Sequence, residues 1–364
     1  MKTKKKGWDP EKDPLPDEVM KEWKKARIAE AIRNKLGIPR PIISAEFKGK
    51  RHVAVGSHMF WGEWKTFIDF LESYMKMTLG KDWGAAELKK SPEQMHPIMQ
   101  WRVQSDKFLK KQKLNEDGFY EGVPTGPFAA LLLLAYDLYI VGHNNKIQKE
   151  LLRRLKNRDQ FQGARHELFT AATCIKAGFD LQFEDETDTS RTHVEFIGQH
   201  KLTGQKVCVE AKSKHRRGVL GYRGTMRDEQ VKLRLRRLLN SALSKDHDHP
   251  LVVFVDLNIP PEQAQNIFGM PLSNGFKEIC NNIKKASDGK DIFNLLVLTN
   301  HPHHYGESDE PDPRRDRAAI LATNPEIYPK FPQTLVNIFD AANQYGRVPQ
   351  FFPKDTTVDS AEPL

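Results

Sequence analysis

The apolar and polar positions of this chain change period several times, and the changes divide it into elements. Between residues 162 and 178, Ala164, Leu168, Ala171, Ala172 and Ile175 recur at the spacing of one helix face, and Gly178 is placed to end that helix. Phe179-Asp180-Leu181-Gln182-Phe183 then alternates like a half-buried strand, and an acidic turn, Glu184 to Asp188, follows. Residues 192–197 alternate again, which sets Val194 and Phe196 on one side and His193 and Glu195 on the other. Leu202-Thr203-Gly204-Gln205 reads as a hairpin loop into Lys206-Val207-Cys208-Val209-Glu210-Ala211-Lys212.

Further along, the segment from residue 228 carries a helical stripe of Val231, Leu235, Leu238, Leu239 and Leu243. Residues 250–257 and 293–299 are continuous apolar runs of the kind buried on both faces of an α/β sheet, and 318–322 reads as a third strand. Helices are predicted at 261–268 and 275–285 to cover that sheet. Upstream, 17–36, 64–79, 98–114 and 128–141 read as helices, and 39–47 and 53–55 as short extended pieces. The run 128–141 is interrupted by Asp137 and is shorter than a bilayer span, so it reads as a buried helix. The organisation expected is a mostly helical segment over 1–158, an α/β domain over 159–325, and a C-terminal helix with a loose tail over 326–364.

The chemistry lies in the 206–212 strand. Alternation puts Glu210 and Lys212 on one face, roughly 7 Å apart at the usual strand rise, with Val207, Val209 and Ala211 on the other. Alone, Glu-x-Lys is a common pattern on a solvated strand face. Preceded by a helix with one glutamate, a strand, a strand with an acid and a hairpin, it resembles the core of the PD-(D/E)xK superfamily, the restriction-endonuclease-like nucleases. The resemblance covers about residues 160 to 260.

The resemblance implies a mixed central sheet flanked by helices and metal-dependent phosphodiester cleavage, in DNA more often than RNA. It assigns Glu210 and Lys212 to the second acid and the lysine, Glu195 to the first acid, and Glu167 to the helix glutamate. Mg²⁺ or Mn²⁺ would be held by Glu195, Glu210 and the Ala211 carbonyl. The family's Pro-Asp is absent, and Thr192-His193-Val194-Glu195 stands in its place. Either Glu195 or His193 takes the first acid position; a hard ion favours the carboxylate, and Asp185 and Asp188 are the reserve.

Charge bears on the partner. The chain has 57 Lys+Arg against 48 Asp+Glu, a net +9, and residues 201–240 alone hold 12 basic and 3 acidic side chains. The whole excess sits on and after the Glu210 strand, which suits a polyanion such as nucleic acid. Candidate phosphate contacts are Lys214, Arg216, Arg217, Arg223, Lys232, Arg234, Arg236 and Arg237, with Gln230 as a supporting polar group. A basic helix of this kind is otherwise an ordinary solvated face.

Cys174, Cys208 and Cys280 form no C-x-x-C pair, which suggests neither a disulfide framework nor a zinc cluster and fits a reducing cytoplasm. The lysine-rich start is not followed by an apolar stretch, so no signal peptide is expected. Asp246-His247-Asp248-His249 and His301-Pro302-His303-His304 are read as loop polarity and not as zinc ligands. Walker A, dinucleotide-binding and nucleophile-elbow signatures are absent. Two rival readings are a nuclease fold that has lost its metal and binds nucleic acid only, and a toxin-like or regulatory protein whose N-terminal half recognises a protein partner and gates the C-terminal half. The protein partner would be a second copy of the chain, as a homodimer, or a regulatory protein. Trp61, Trp64, Trp83 and Trp101 read mainly as core, with base stacking by one or two as the alternative.

Overall fold

A computed structural model of the chain describes residues 40–116, 118–120, 122–183, 194–222, 235–260, 293–305, 321–323 and 333–353. The helices predicted at 17–36, 261–268 and 275–285 and the tail beyond 353 lie outside the described residues. The chain first makes a three-stranded antiparallel sheet, β1 (Ile43–Phe47), β2 (Lys50–Val55) and β3 (His58–Gly62). The predicted extended pieces account for β1 and part of β2; β3 was missed. Then come α1 (Phe67–Leu79), α2 (Lys81–Glu87), α3 (Pro97–Lys111), α4 (Gly126–Asn144), α5 (Lys149–Leu155) and α6 (Phe161–Lys176). α1 starts where Thr66 and Asp69 exchange side chain-to-backbone hydrogen bonds, a capping box that satisfies two otherwise unpaired donors.

A six-stranded mixed sheet follows, with β4 (Phe179–Phe183), β5 (Phe196–His200), β6 (Lys206–Ser213), β7 (Leu251–Asp256), β8 (Leu295–Thr299) and β9 (Leu321–Thr323) neighbouring one another in that order. β4, β5 and β6 are antiparallel, β7 and β8 run parallel to β6, and β9 is antiparallel to β8. α7 (Leu235–Leu243) lies between β6 and β7 in sequence, and α8 (Gln333–Asn343) ends the described fold. Gly178, at φ 94°, lets the chain reverse from α6 into β4, and Gly204, at φ 70°, does the same between β5 and β6.

Two apolar clusters occupy the two faces of this sheet. Val207, Val209, Val252 and Phe254 belong to a large cluster with α6 that continues through Leu134 and Leu138 of α4 to Phe70 and Val53, so both sheets share one core. Cys208, Val253 and Val255 belong to the other cluster, capped by Leu239 and Ala242 of α7. Every residue of β7 is buried, as its continuous apolar run predicts.

α4 is longer than the run that predicted it and reaches the length and composition of a membrane span, but 78% of that window is buried inside the protein. Its charge is matched. Arg165 Nη1 donates to Asp137 Oδ2 at 2.8 Å, and Tyr345 Oη, 3.0 Å from the same oxygen, donates to it while accepting from Arg165 Nη2 at 2.6 Å. Helices α4 and α6 and the turn that follows α8 therefore meet around one buried, hydrogen-bonded ion pair.

Candidate active site on the β6 strand

Cys208 faces the α7 cluster and Val209 the α6 cluster, so alternation carries Glu210 and Lys212 to the α7 side. The pair is not a solvated strand face. Glu210 is 0% exposed, and Lys212 Nζ donates to its Oε1. Burial raises the Glu210 carboxyl to about 7, the nearby charge of Glu195 pushes in the same direction, and Lys212 and then Lys245 oppose them. Glu210 Oε2 is buried with no hydrogen-bond partner among the described residues.

Glu195 reaches this pair through a departure from the ladder. Its N–H donates to the Val209 carbonyl at 3.1 Å, one step out of the register that pairs Phe196 with Val209. The extra residue kinks the strand in the manner of a β-bulge, a device that redirects side chains. The same kink overturns the predicted alternation: Val194 packs in the α7 cluster and Phe196 in the α6 cluster, not on one side together. The strand itself begins only at Phe196 and runs on to His200. His193, Asp185 and Asp188 lie outside the described residues.

Glu167 lies on α6. α6 covers the Val207 and Val209 face, opposite to that of Glu210, and the Glu167 carboxylate is held by Arg154 at 2.7 and 2.9 Å through both guanidinium nitrogens. Among the candidate phosphate contacts, Arg217 and Arg237 are exposed and Lys214 is half-buried. Arg216 donates to the carbonyls of Leu257 and Asn258, so its guanidinium joins the loop after β6 to the end of β7. Arg236 lies on α7, and Arg223, Gln230, Lys232 and Arg234 fall outside the described residues.

Two polar groups escaped the sequence reading. Asp256, paired in register with Ser213, ends β7 on the α6 side, where burial raises its carboxyl to about 7 against hydrogen bonds from the Asn258 N–H and Ser213 Oγ. Its only sequence signal is an acid closing an apolar run. The second group is histidine. His301, His303 and His304 are buried, not loop-polar: they flank and form a short 3₁₀ turn, Pro302–Tyr305, and pack with His166, Phe169 and Trp101.

Burial drives His166 down to about 3 and His301 and His304 well below the ordinary histidine range, so these rings are neutral aromatic core. By contrast, Asp246, His247 and Asp248 are exposed, as loop polarity predicts. Among the described residues no three or more His, Cys, Asp and Glu side chains are placed to share a metal ion.

No protein-family model, no curated protein and no solved structure matches this chain.

Proposed function

We propose that the chain is a divalent-metal-dependent nuclease acting on DNA, with Glu195, Glu210 and Lys212 as its catalytic core in a restriction-endonuclease-like domain. One observation carries this reading: a fully buried carboxylate raised to about 7 in part by a second carboxylate, with a lysine on one oxygen and the other oxygen unpartnered. A fully buried acid set beside a second acid and a lysine is costly for stability, and such perturbed groups cluster at functional sites. A mixed sheet flanked by helices, in the element order α6, β4, β5, β6, α7, β7, supports this reading.

The donor set fits a hard cation. Mg²⁺ is commonly bound by one or two carboxylates plus substrate phosphate, so a third acid is not required. Glu195 and Glu210 would hold Mg²⁺ or Mn²⁺, with the Ala211 carbonyl as a further oxygen. The ion would supply charge neutralisation on the phosphate and an acidified water. Glu210 must release its proton, and Lys212 Nζ must turn from Oε1, before the lysine can orient the nucleophile and stabilise charge developing on the phosphate. Arg217 and Arg237, exposed on the same basic stretch, would hold flanking phosphates. Three cysteines without paired spacing in the sequence suit a cytoplasmic setting.

A second reading is favoured by one feature: Lys212 closes on Glu210, which a degenerate, metal-free site retained for nucleic-acid binding or partner gating would also do. Incubation of plasmid, single-stranded DNA and RNA with Mg²⁺, Mn²⁺ or EDTA separates the two. Metal-dependent cleavage supports the nuclease; nucleic-acid binding without Mn²⁺ binding supports the degenerate site.

A further inference from the structure

Alternation and register line up the outer face of the β1–β3 sheet. Phe47, Lys50, His52 and Trp61 share it: Lys50 lies opposite Phe47, and His52 lies opposite Trp61. The opposite face supplies Val53 and Val55 to the core. Outward, Phe47 is 61% and Trp61 63% exposed, an unusual place for large aromatic rings in a protein with ample core.

The rings form a row across three strands. Phe47 on β1 and His52 on β2 have ring centroids 6.1 Å apart, and Trp61 follows on β3. Lys48 Nζ sits 5.2 Å from the Phe47 ring, and Lys50 stands beside it on the same sheet. Glu46, the one acid in residues 40–62, is paired with Arg51 at 3.2 Å. Aromatic faces set among cations and nearly free of anions match a ligand that is itself flat rings on an anionic backbone. In a duplex the faces of the bases are covered by stacking, so the match is to unpaired bases.

We propose that the outer face of β1–β3 binds single-stranded nucleic acid, with Phe47, His52 and Trp61 stacking bases and Lys48 and Lys50 holding phosphates. This deepens the nuclease reading by naming single-stranded segments as part of its substrate. The test is chosen to stand apart from cleavage.

Anisotropy of a fluorescein-labelled oligothymidylate, measured in EDTA on the full chain, reads this surface whether or not the protein cuts. Trp61→Ala and Phe47→Ala should each weaken binding at least about fivefold, since a base–aromatic stack is worth that or more. Trp61→Phe should retain most of the affinity. Lys48→Glu with Lys50→Glu should lower the salt dependence by about 0.7 in log–log slope per phosphate lost. Unchanged affinity in Trp61→Ala, equal competition by duplex, or no binding by wild type would overturn the proposal. So would a loss of self-association in Trp61→Ala, which would assign the face to a second copy of the chain.

Discussion

Lys212 Nζ donates to Glu210 Oε1 while Glu210 Oε2, equally buried, has no hydrogen-bond partner among the described residues. A carboxylate half-satisfied in this way, and raised to about 7, is protonated over much of the range in which it would have to bind a cation. Mn²⁺ affinity should therefore climb as pH rises from about 6 to about 8, by close to tenfold per pH unit below the carboxyl's own value, because the proton competes with the metal. Calorimetry in buffers of different ionisation enthalpy should also record a proton released on binding below about pH 7. Affinity independent of pH would show that Glu210 is not a ligand.

The first acid can be identified by substitution. Glu195→Gln keeps the shape and removes the charge that bears on Glu210, so Mn²⁺ binding and cleavage should both collapse, and the Glu210 carboxyl should fall back toward its ordinary value. His193→Ala should cost little. The reverse ranking, with a shift of preference from Mg²⁺ toward softer ions, would give the position to His193.

The sheet was legible in the sequence because its side chains repeat with period two. Val207, Val209 and the Glu210–Lys212 pair fall on the faces that alternation assigns. Glu195 shows where that rule stops. A bulge is a shift of backbone hydrogen bonds, and no pattern of side chains records it, so Val194 and Phe196 were placed together when they face opposite ways. Charge was similarly ambiguous: nothing in Lys214-His215-Arg216-Arg217 tells that Arg216 meets two carbonyls while Arg217 faces water. His301 and His304 misled for another reason, since a neutral imidazole packs as an aromatic ring although it counts as polar.

Those rings predict acid lability. Burial depresses His96 to about 4 and His166 to about 3, and places His301 and His304 lower than usual as well. Below their unfolded value of about 6.5, the unfolded chain binds four protons that the folded chain refuses. Glu210 and Asp256, both raised to about 7, act oppositely: between about pH 4.5 and 6.5 the folded chain keeps two protons that the unfolded chain has lost. Burial lowers His200 and His215 too, so the balance leaves the unfolded state ahead by at least two protons, and stability should fall as pH drops from about 6.5, by about 1.4 kcal/mol per pH unit for each. Melting temperature followed from neutral pH to about pH 5 checks this, and His301→Phe should flatten the slope. A melting temperature that rises on acidification would contradict it.

The Asp137–Arg165 pair joins α4 to α6 away from the candidate site. Asp137→Ala would strand a buried guanidinium and should cost about 3–5 kcal/mol in denaturant unfolding. Joint replacement by Asp137→Leu and Arg165→Met should cost less than the single change, because no buried charge is left uncompensated. A single variant as stable as wild type would mean that the pair does not tie the helices together.

The central claim is that β6 carries a catalytic pair, and it is tested most directly by plasmid cleavage in Mg²⁺ and Mn²⁺ with wild type, Glu210→Gln and Lys212→Ala in parallel. The account predicts metal-dependent cleavage by wild type, none by either variant, and oligonucleotide affinity in EDTA preserved in both. Cleavage by either variant at the wild-type rate, or wild-type cleavage that persists in EDTA, would contradict it.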